Sequence, residues 1–241
     1  MQLGDDLEVV VERRAVKRIN IYVRPPHGEV FVTCPKRVSV RELRRVLTER
    51  EAWMRAARAR VRKKHMHSLA LEEAIARGEG IDGHSLPYLG KLWTVELESG
   101  GKPSYSLDAE RQVIRLTLPA ALDKDAQAQA QATLIRKLYK DTLAEQLPAS
   151  LTRWEQKLGV RAQHITFRDM TTRWGSCQTR TGRLTFNIRL ARYDLQYFDS
   201  VVLHELVHLR VPNHGPDFYR LMDQCLPEWQ RLRRELRQLP F

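Results

Sequence analysis

The chain has 241 residues, of which 42% are hydrophobic and 29% charged, and it carries a formal net charge of +12. That is enough chain and apolar content to bury a substantial core as one domain or two, which excludes a disordered or fibrous protein. The first 25 residues include Asp5, Asp6, Glu8 and Glu12 and no apolar run of the signal-peptide kind. Nor does any stretch approach the ~18 consecutive apolar residues that a membrane span needs, so a cytoplasmic protein without membrane contact is expected.

Leu7 to Glu12, Arg18 to Arg24 and Glu29 to Cys34 read as short strands, the last two joined by the turn residues Pro25, Pro26, His27 and Gly28. Ser39 to Lys64 then reads as one amphipathic helix, with Ser39 as N-cap and Glu42 three residues on as the partner of a capping box. Val40, Leu43, Val46, Leu47, Met54, Ala57 and Val61 form its apolar stripe, and Arg41, Arg44, Arg45, Arg55, Arg58, Arg62, Lys63 and Lys64 crowd the rest. The basic excess sits here: residues 1–64 hold 17 Lys or Arg against 8 Asp or Glu, whereas residues 65–150 hold 9 against 12. Such a face either is simply solvated or makes non-specific contact with DNA or RNA phosphates.

Residues 65–83, with Gly78, Gly80 and Gly83, read as a connector. A small β region follows over 84–122, with strands at Leu92 to Glu98 and Val113 to Leu118. From Asp123 to about Leu158 helix formers dominate, and Pro148 predicts a kink or break. His164 to Asp169 and Leu184 to Ile188 read as strands flanking the tract Thr172 to Cys177, TRWGSC. A helix from about Leu195 to Arg210 comes next, then one begun by Pro216 and a last one after Pro227. No internal repeat stands out. The fold class is α+β, with a catalytic region over 123–241 that is either separate from or continuous with what precedes it. Cys34, Cys177 and Cys225 are scattered, odd in number and without metal-ligand spacing, so they read as reduced thiols.

The most informative segment is VVLHELVHLRVPNH. Residues four apart share a helix face, so His204 and His208 can present two imidazoles to one ion. Glu205, about 100° round the helix, can reach a metal-bound water without being a ligand. A catalytic zinc keeps three protein ligands and leaves its fourth position to water. His214 is the third, delivered by a chain that Pro212 turns out of the helix. The constellation predicts metal-assisted hydrolysis with Glu205 as general base and one zinc ion per chain.

HELVHLRVPNHGPDFYRLMDQCLPEW, together with TRWGSC and the run FNIRL at Phe186 to Leu190, resembles the YgjP-like metallopeptidase domain family, a zincin group related to the SprT-like proteases. INIYVRPPHGEVFVTCPKRVS and LPYLGKLWTVEL are similar to the same family, so the resemblance reaches nearly the whole chain. It implies a zincin-like core, with the active-site helix packed on a small sheet. It also implies His204, His208 and His214 as zinc ligands and Glu205 as general base.

Beside the metal, Gly175 and Ser176 suit close backbone approach by an extended substrate. Arg173 and Trp174 either contact that substrate or brace the cleft, and Asn187 and Arg189 either point into the cleft or support it. Arg173, Arg189, Tyr193 and Tyr219 are all open as donors to a developing oxyanion. Asp217 suits either a hydrogen bond to a ligand imidazole or a helix cap.

The leading functional expectation is a zinc metallopeptidase acting on extended polypeptide. A second is a metal-dependent nucleoside triphosphate pyrophosphatase, a label that members of the resembled group have carried. It expects a closed, arginine-lined pocket, and no G-x-x-x-x-G-K-[ST] loop is present to support it. A third is a nucleic-acid-binding module around a structural zinc, for which Cys225 is the one nearby candidate to close the fourth position.

Overall fold

The computed structural model describes residues 1–3, 7–24, 28–64 and 81–239. Among them the architecture is mixed α+β, with six α-helices and three small sheets. The chain divides into two compact units, Met1–Ala70 and Leu71–Leu239, each with its own buried cluster. The turn expected at residues 25–27 and most of the connector, residues 65–80, lie outside the described residues. Ile81, just after that stretch, is buried in the core of the second unit.

In the first unit β1 (Gln2–Leu3), β2 (Leu7–Arg14), β3 (Asn20–Arg24) and β4 (Glu29–Pro35) form a sheet in the order β1-β2-β4-β3. Alternation puts Leu7, Val9, Val30, Val32 and Cys34 into the core while Glu8 and Glu29 face water. The basic stretch is two helices where the sequence suggested one: α1 (Val40–Glu49) and α2 (Glu51–Lys64), parted at Arg50, whose φ of −101° and ψ of 3° leave the helical well. An unbroken helix over Ser39 to Lys64 would run about 38 Å, against about 23 Å for a seven-residue strand. The bend lets Leu43, Leu47 and Met54 all reach one small core. Ser39 caps α1 as expected, its Oγ accepting from the Glu42 amide at 3.1 Å.

The second unit opens with β5 (Ser85–Tyr88), β6 (Lys91–Ser99), β7 (Ser104–Asp108) and β8 (Val113–Leu118), ordered β5-β6-β8-β7. Leu89 and Gly90 join β5 to β6 with φ of 49° and 79°, the double left-handed conformation of a tight hairpin turn. β5 and β7 escaped sequence reading because four or five residues with a Pro or several Ser carry little apolar signal.

This sheet repeats the first in strand order and in the direction of every pairing: antiparallel, parallel, antiparallel. Asn20–Arg24 and Gly28–Ser39 correspond position for position to Ser104–Asp108 and Gln112–Asp123. Thr33 and Thr117 lie opposite Glu12 and Glu98, and a positive-φ residue, Gly28 or Gln112, precedes the last strand. Pro35 and Pro119 lead to the helix caps Ser39 and Asp123. That Thr and that Pro are the only identities over this span, so the repeat is visible in register but not in sequence.

α3 (Lys124–Leu158) runs through Pro148 without interruption, where a kink or break was expected. Pro148 and Ala144, whose carbonyl loses its amide partner, are both exposed, so water can satisfy that carbonyl. Leu143, Leu147, Ser150 and Trp154 are buried and hold the helix on either side. Tyr139 donates to the Pro87 carbonyl at 2.8 Å and Tyr105 to Asp141 at 2.8 Å, fixing α3 to the sheet.

The remaining elements build the site. β9 (His164–Arg168), β10 (Gly175–Gln178) and β11 (Arg183–Asn187) form a sheet ordered β10-β11-β9, which leaves β10 at an edge. A 3-10 turn (Ile188–Arg192) leads to α4 (Leu195–Arg210), followed by α5 (Pro216–Cys225) and α6 (Trp229–Leu236). No helix among the described residues is long and apolar enough to cross a membrane.

Candidate active site

α4 is the most deeply sunk helix of the site. Phe198, Val201, Val202, Leu203, Leu206 and Val207 are buried, as the apolar run around the motif required. α3 grips both its ends: Ser150 Oγ and Trp154 Nε1 donate to Asp199 at 2.7 and 2.9 Å, and Arg210 donates to the Leu158 carbonyl at 2.9 Å. An element held this way cannot slide, and that fixes the side chains it carries.

One turn apart on α4, the rings of His204 and His208 lie 4.9 Å from centroid to centroid. The helix ends at Val211, in extended conformation, and the chain returns to bring the His214 ring within 5.1 Å of His204 and 4.6 Å of His208. One ring nitrogen from each histidine lies within 4.8 Å of the other two, the three-residue set able to hold a metal among the described residues. His204 Nε2 and His214 Nε2 are 3.1 Å apart. Two nitrogens bound at about 2.0–2.1 Å to one tetrahedral zinc stand about 3.3 Å from each other, so the spacing fits.

His208 Nδ1 lies 3.3 Å from the Val211 carbonyl. That contact suits an Nδ1–H tautomer with Nε2 left for a metal. Burial pushes His204 down to about 3, with repulsion from Arg233, and from His208 and His214 when they are protonated, adding to the effect. Burial also lowers His208 and His214. All three are neutral donors near neutral pH, as metal binding demands.

Sequence reasoning missed Phe218. Fully buried on α5, its ring lies 4.9, 4.8 and 4.6 Å from those of His204, His208 and His214 and forms a common backing for all three. The available signal was Pro216: a helix starting there must turn some early residue back towards the site.

Glu205 is 6% exposed, and burial raises its carboxyl to about 8 against the opposing pull of Arg173. It packs beneath β10 at Gly175. A Cβ built on Gly175 would lie 2.6 Å from Glu205 Oε1 and 2.8 Å from Val201 Cγ1, so only glycine lets the edge strand approach the helix there. The same two residues line a cavity of about 290 Å³ with Trp174, His204 and His214.

Among the other residues singled out from the sequence, Trp174 lines the cavity and meets Tyr193 edge to face at 5.8 Å. Arg173 is exposed, its charge reaching Glu205. Ser176 pairs with Thr185 in the sheet. Asn187 is fully buried, and all its side-chain bonds run to backbone: it donates to the Met170 and Arg173 carbonyls at 2.8 and 2.9 Å and accepts from the Met170 and Arg189 amides at 3.3 and 3.1 Å. Arg189 pairs with Asp169. Tyr219 stacks on Trp229 at 5.6 Å. Asp217 pairs with Arg220, and Gly215 holds the cap position of α5. The three cysteines are free thiols, and Cys177, close enough to feel Glu205, is pushed up to about 11, chiefly by burial.

No curated protein and no solved structure shows significant similarity to the chain. The family model of the YgjP-like metallopeptidase domain, by contrast, matches residues 17–239. That span takes in the histidine cluster, Glu205 and the edge strand laid over it, and the chain belongs to the YgjP-like metallopeptidase family.

Proposed function

We propose that this metallopeptidase-type hydrolase is a zinc enzyme of zincin-like core that cleaves peptide bonds in extended polypeptide. The observation that carries this reading is the convergence of His204, His208 and His214 on one point beside the buried Glu205. A nitrogen-only set of three suits zinc among the common divalent ions. Zinc held there would supply Lewis-acid activation of a water and of the scissile carbonyl.

The chain's own residues do the rest. Glu205 takes the proton of the attacking water on a carboxylate oxygen and passes it to the leaving amine. Its burial favours the protonated form, which suits the second half of that cycle, and Arg173 favours the ionised form needed for the first. β10, at the edge of its sheet, offers unpaired backbone groups to an extended substrate, and Gly175 keeps that strand close to Glu205. Trp174 forms a wall of the cleft. Asn187 and Arg189 act as positioning residues that hold the Asp169–Arg173 segment leading to Trp174.

The fourth ligand of a structural zinc finds no support in Cys225, which lies in the packed core with its thiol raised by burial. The arginines of α1 and α2 make a largely exposed basic face, and neither the family nor the site geometry supports a nucleic-acid partner for it.

The test is metal dependence read on two scales. The purified protein should contain about one zinc per chain, lose proteolysis on chelation and regain it with zinc. His214→Ala should lose both metal and activity while keeping the helical spectrum. Full proteolysis by metal-free protein would sink the proposal.

A further inference from the structure

The cavity above Glu205 has a second wall that the reaction as described does not use. α6 brings Trp229, Arg233 and Leu236 to it, and Arg237 follows at the helix end. Arg233 and Arg237 are one turn apart at the C-terminal end of α6. Neighbouring arginines are neutralised: Arg231 pairs with Glu235 at 2.9 Å and Arg220 with Asp217. Arg233 has no carboxylate partner among the described residues and lies over the Trp229 ring, 5.8 Å from its centroid.

Among the described residues the only carboxylate lining the cavity is Glu205. With a divalent metal on the three histidines and Arg233 in the lining, the cavity would therefore be cationic. A second, shallower hollow shares Trp229, Arg233 and Arg237 and adds Arg234, so the positive strip continues along α6. The cavity lining also includes the apolar side chains of Val201, Met222 and Leu236.

We infer that Arg233, backed by Arg237, forms a carboxylate subsite beside the metal centre, and that the favoured substrates are peptides with an acidic side chain next to the scissile bond. This rests on the peptidase reading above. A guanidinium offers two parallel donors to a carboxylate and is always charged, and the apolar lining accommodates the methylenes of a glutamate. At about 290 Å³ the cavity sits at the low end of the ~300–1,000 Å³ typical of small-ligand sites. It suits one or two side chains better than a nucleoside triphosphate.

Binding and turnover are measured separately. Zinc-loaded Glu205→Gln protein is titrated with capped peptides of one fixed sequence in which Glu, Gln or Lys is moved through each position, and with ATP as a phosphate probe. One Glu position should bind about tenfold tighter than its Gln counterpart, as one charge-assisted hydrogen-bond pair predicts. Adding Arg233→Ala should shrink that ratio to within about twofold, and adding Arg233→Glu should turn the preference towards Lys. Equal binding of Glu and Gln peptides, a ratio indifferent to Arg233, or Arg233-dependent binding of ATP with none of any peptide overturns the subsite. Cleavage by the wild type without acidic preference overturns it too, and leaves the peptidase reading intact. Acid-selective, Arg233-dependent binding without cleavage does the reverse.

Discussion

Gly175 and Glu205 illustrate how one absent side chain can set the chemistry. The strand that would receive substrate must lie close to the general base, and a methyl group at 175 would meet Glu205 Oε1 at 2.6 Å. Gly175→Ala is therefore expected to displace the carboxylate and lower kcat at least about tenfold, with zinc content unchanged, since a misplaced general base forfeits much of its 10²–10⁴-fold contribution. Loss of zinc together with activity would show that the glycine supports the fold and not the base.

Glu205 also makes a thermodynamic demand. Its carboxyl is raised to about 8 in the fold from an ordinary 4.5, so across that window the folded state holds more proton than the unfolded one. Stability is then lost as pH rises from 4.5 through 8. In metal-free protein, Glu205→Gln should raise the melting temperature relative to wild type by a margin that grows over that range. Equal curves at pH 5 and pH 8 would contradict this. His204 works in the opposite sense: its pKa falls to about 3 from 6.5, so its neutral form contributes stability above 6.5 that is lost as pH falls towards 3. The clustering of His204, His208 and His214 beside Glu205 was legible in the sequence because HExxH ties side-chain placement to helical spacing. Phe218 was not, since a core aromatic carries no motif and its contact with three histidines exists only in three dimensions.

Among the elements, those with strong periodicity were read within a residue or two: Val113–Leu118, Lys124–Leu158 and Leu195–Arg210. Those that differed did so where tertiary packing overrode a local rule. The sheet of the first unit is too short for one straight helix, so the basic segment bends at Arg50. Pro148 stays helical because buried neighbours on both sides outweigh its local cost. A proline inside a helix is about 3 kcal/mol worse than alanine, and Pro148 is exposed. Pro148→Ala should accordingly stabilise the protein by about 1–3 kcal/mol in denaturant unfolding. Destabilisation would mean that the proline fixes a bend on which the contacts of α3 with α4 depend.

Taken as a molecule, the chain contains one sheet-and-helix plan twice, in each case four strands of identical pairing directions followed by a capped helix. Only the second copy leads on to α4, the helix of His204 and His208. Two identities in that matched span leave nothing for a sequence comparison to hold, while strand register and helix cap preserve the correspondence among the described residues. The candidate site is concentrated by contrast: α4, the loop that carries His214, α5, α6 and the edge strand β10 supply the histidine cluster, Glu205 and most of the cavity lining.

The most direct test of that assignment is a mass-spectrometric digest of a denatured protein by zinc-loaded wild type and by zinc-loaded Glu205→Gln. New peptides from the wild type, with a rate at least about a hundredfold lower in the variant, are the expected result. Equal cleavage by the two proteins, or consumption of nucleoside triphosphate by the wild type with the denatured protein left intact, would contradict the account.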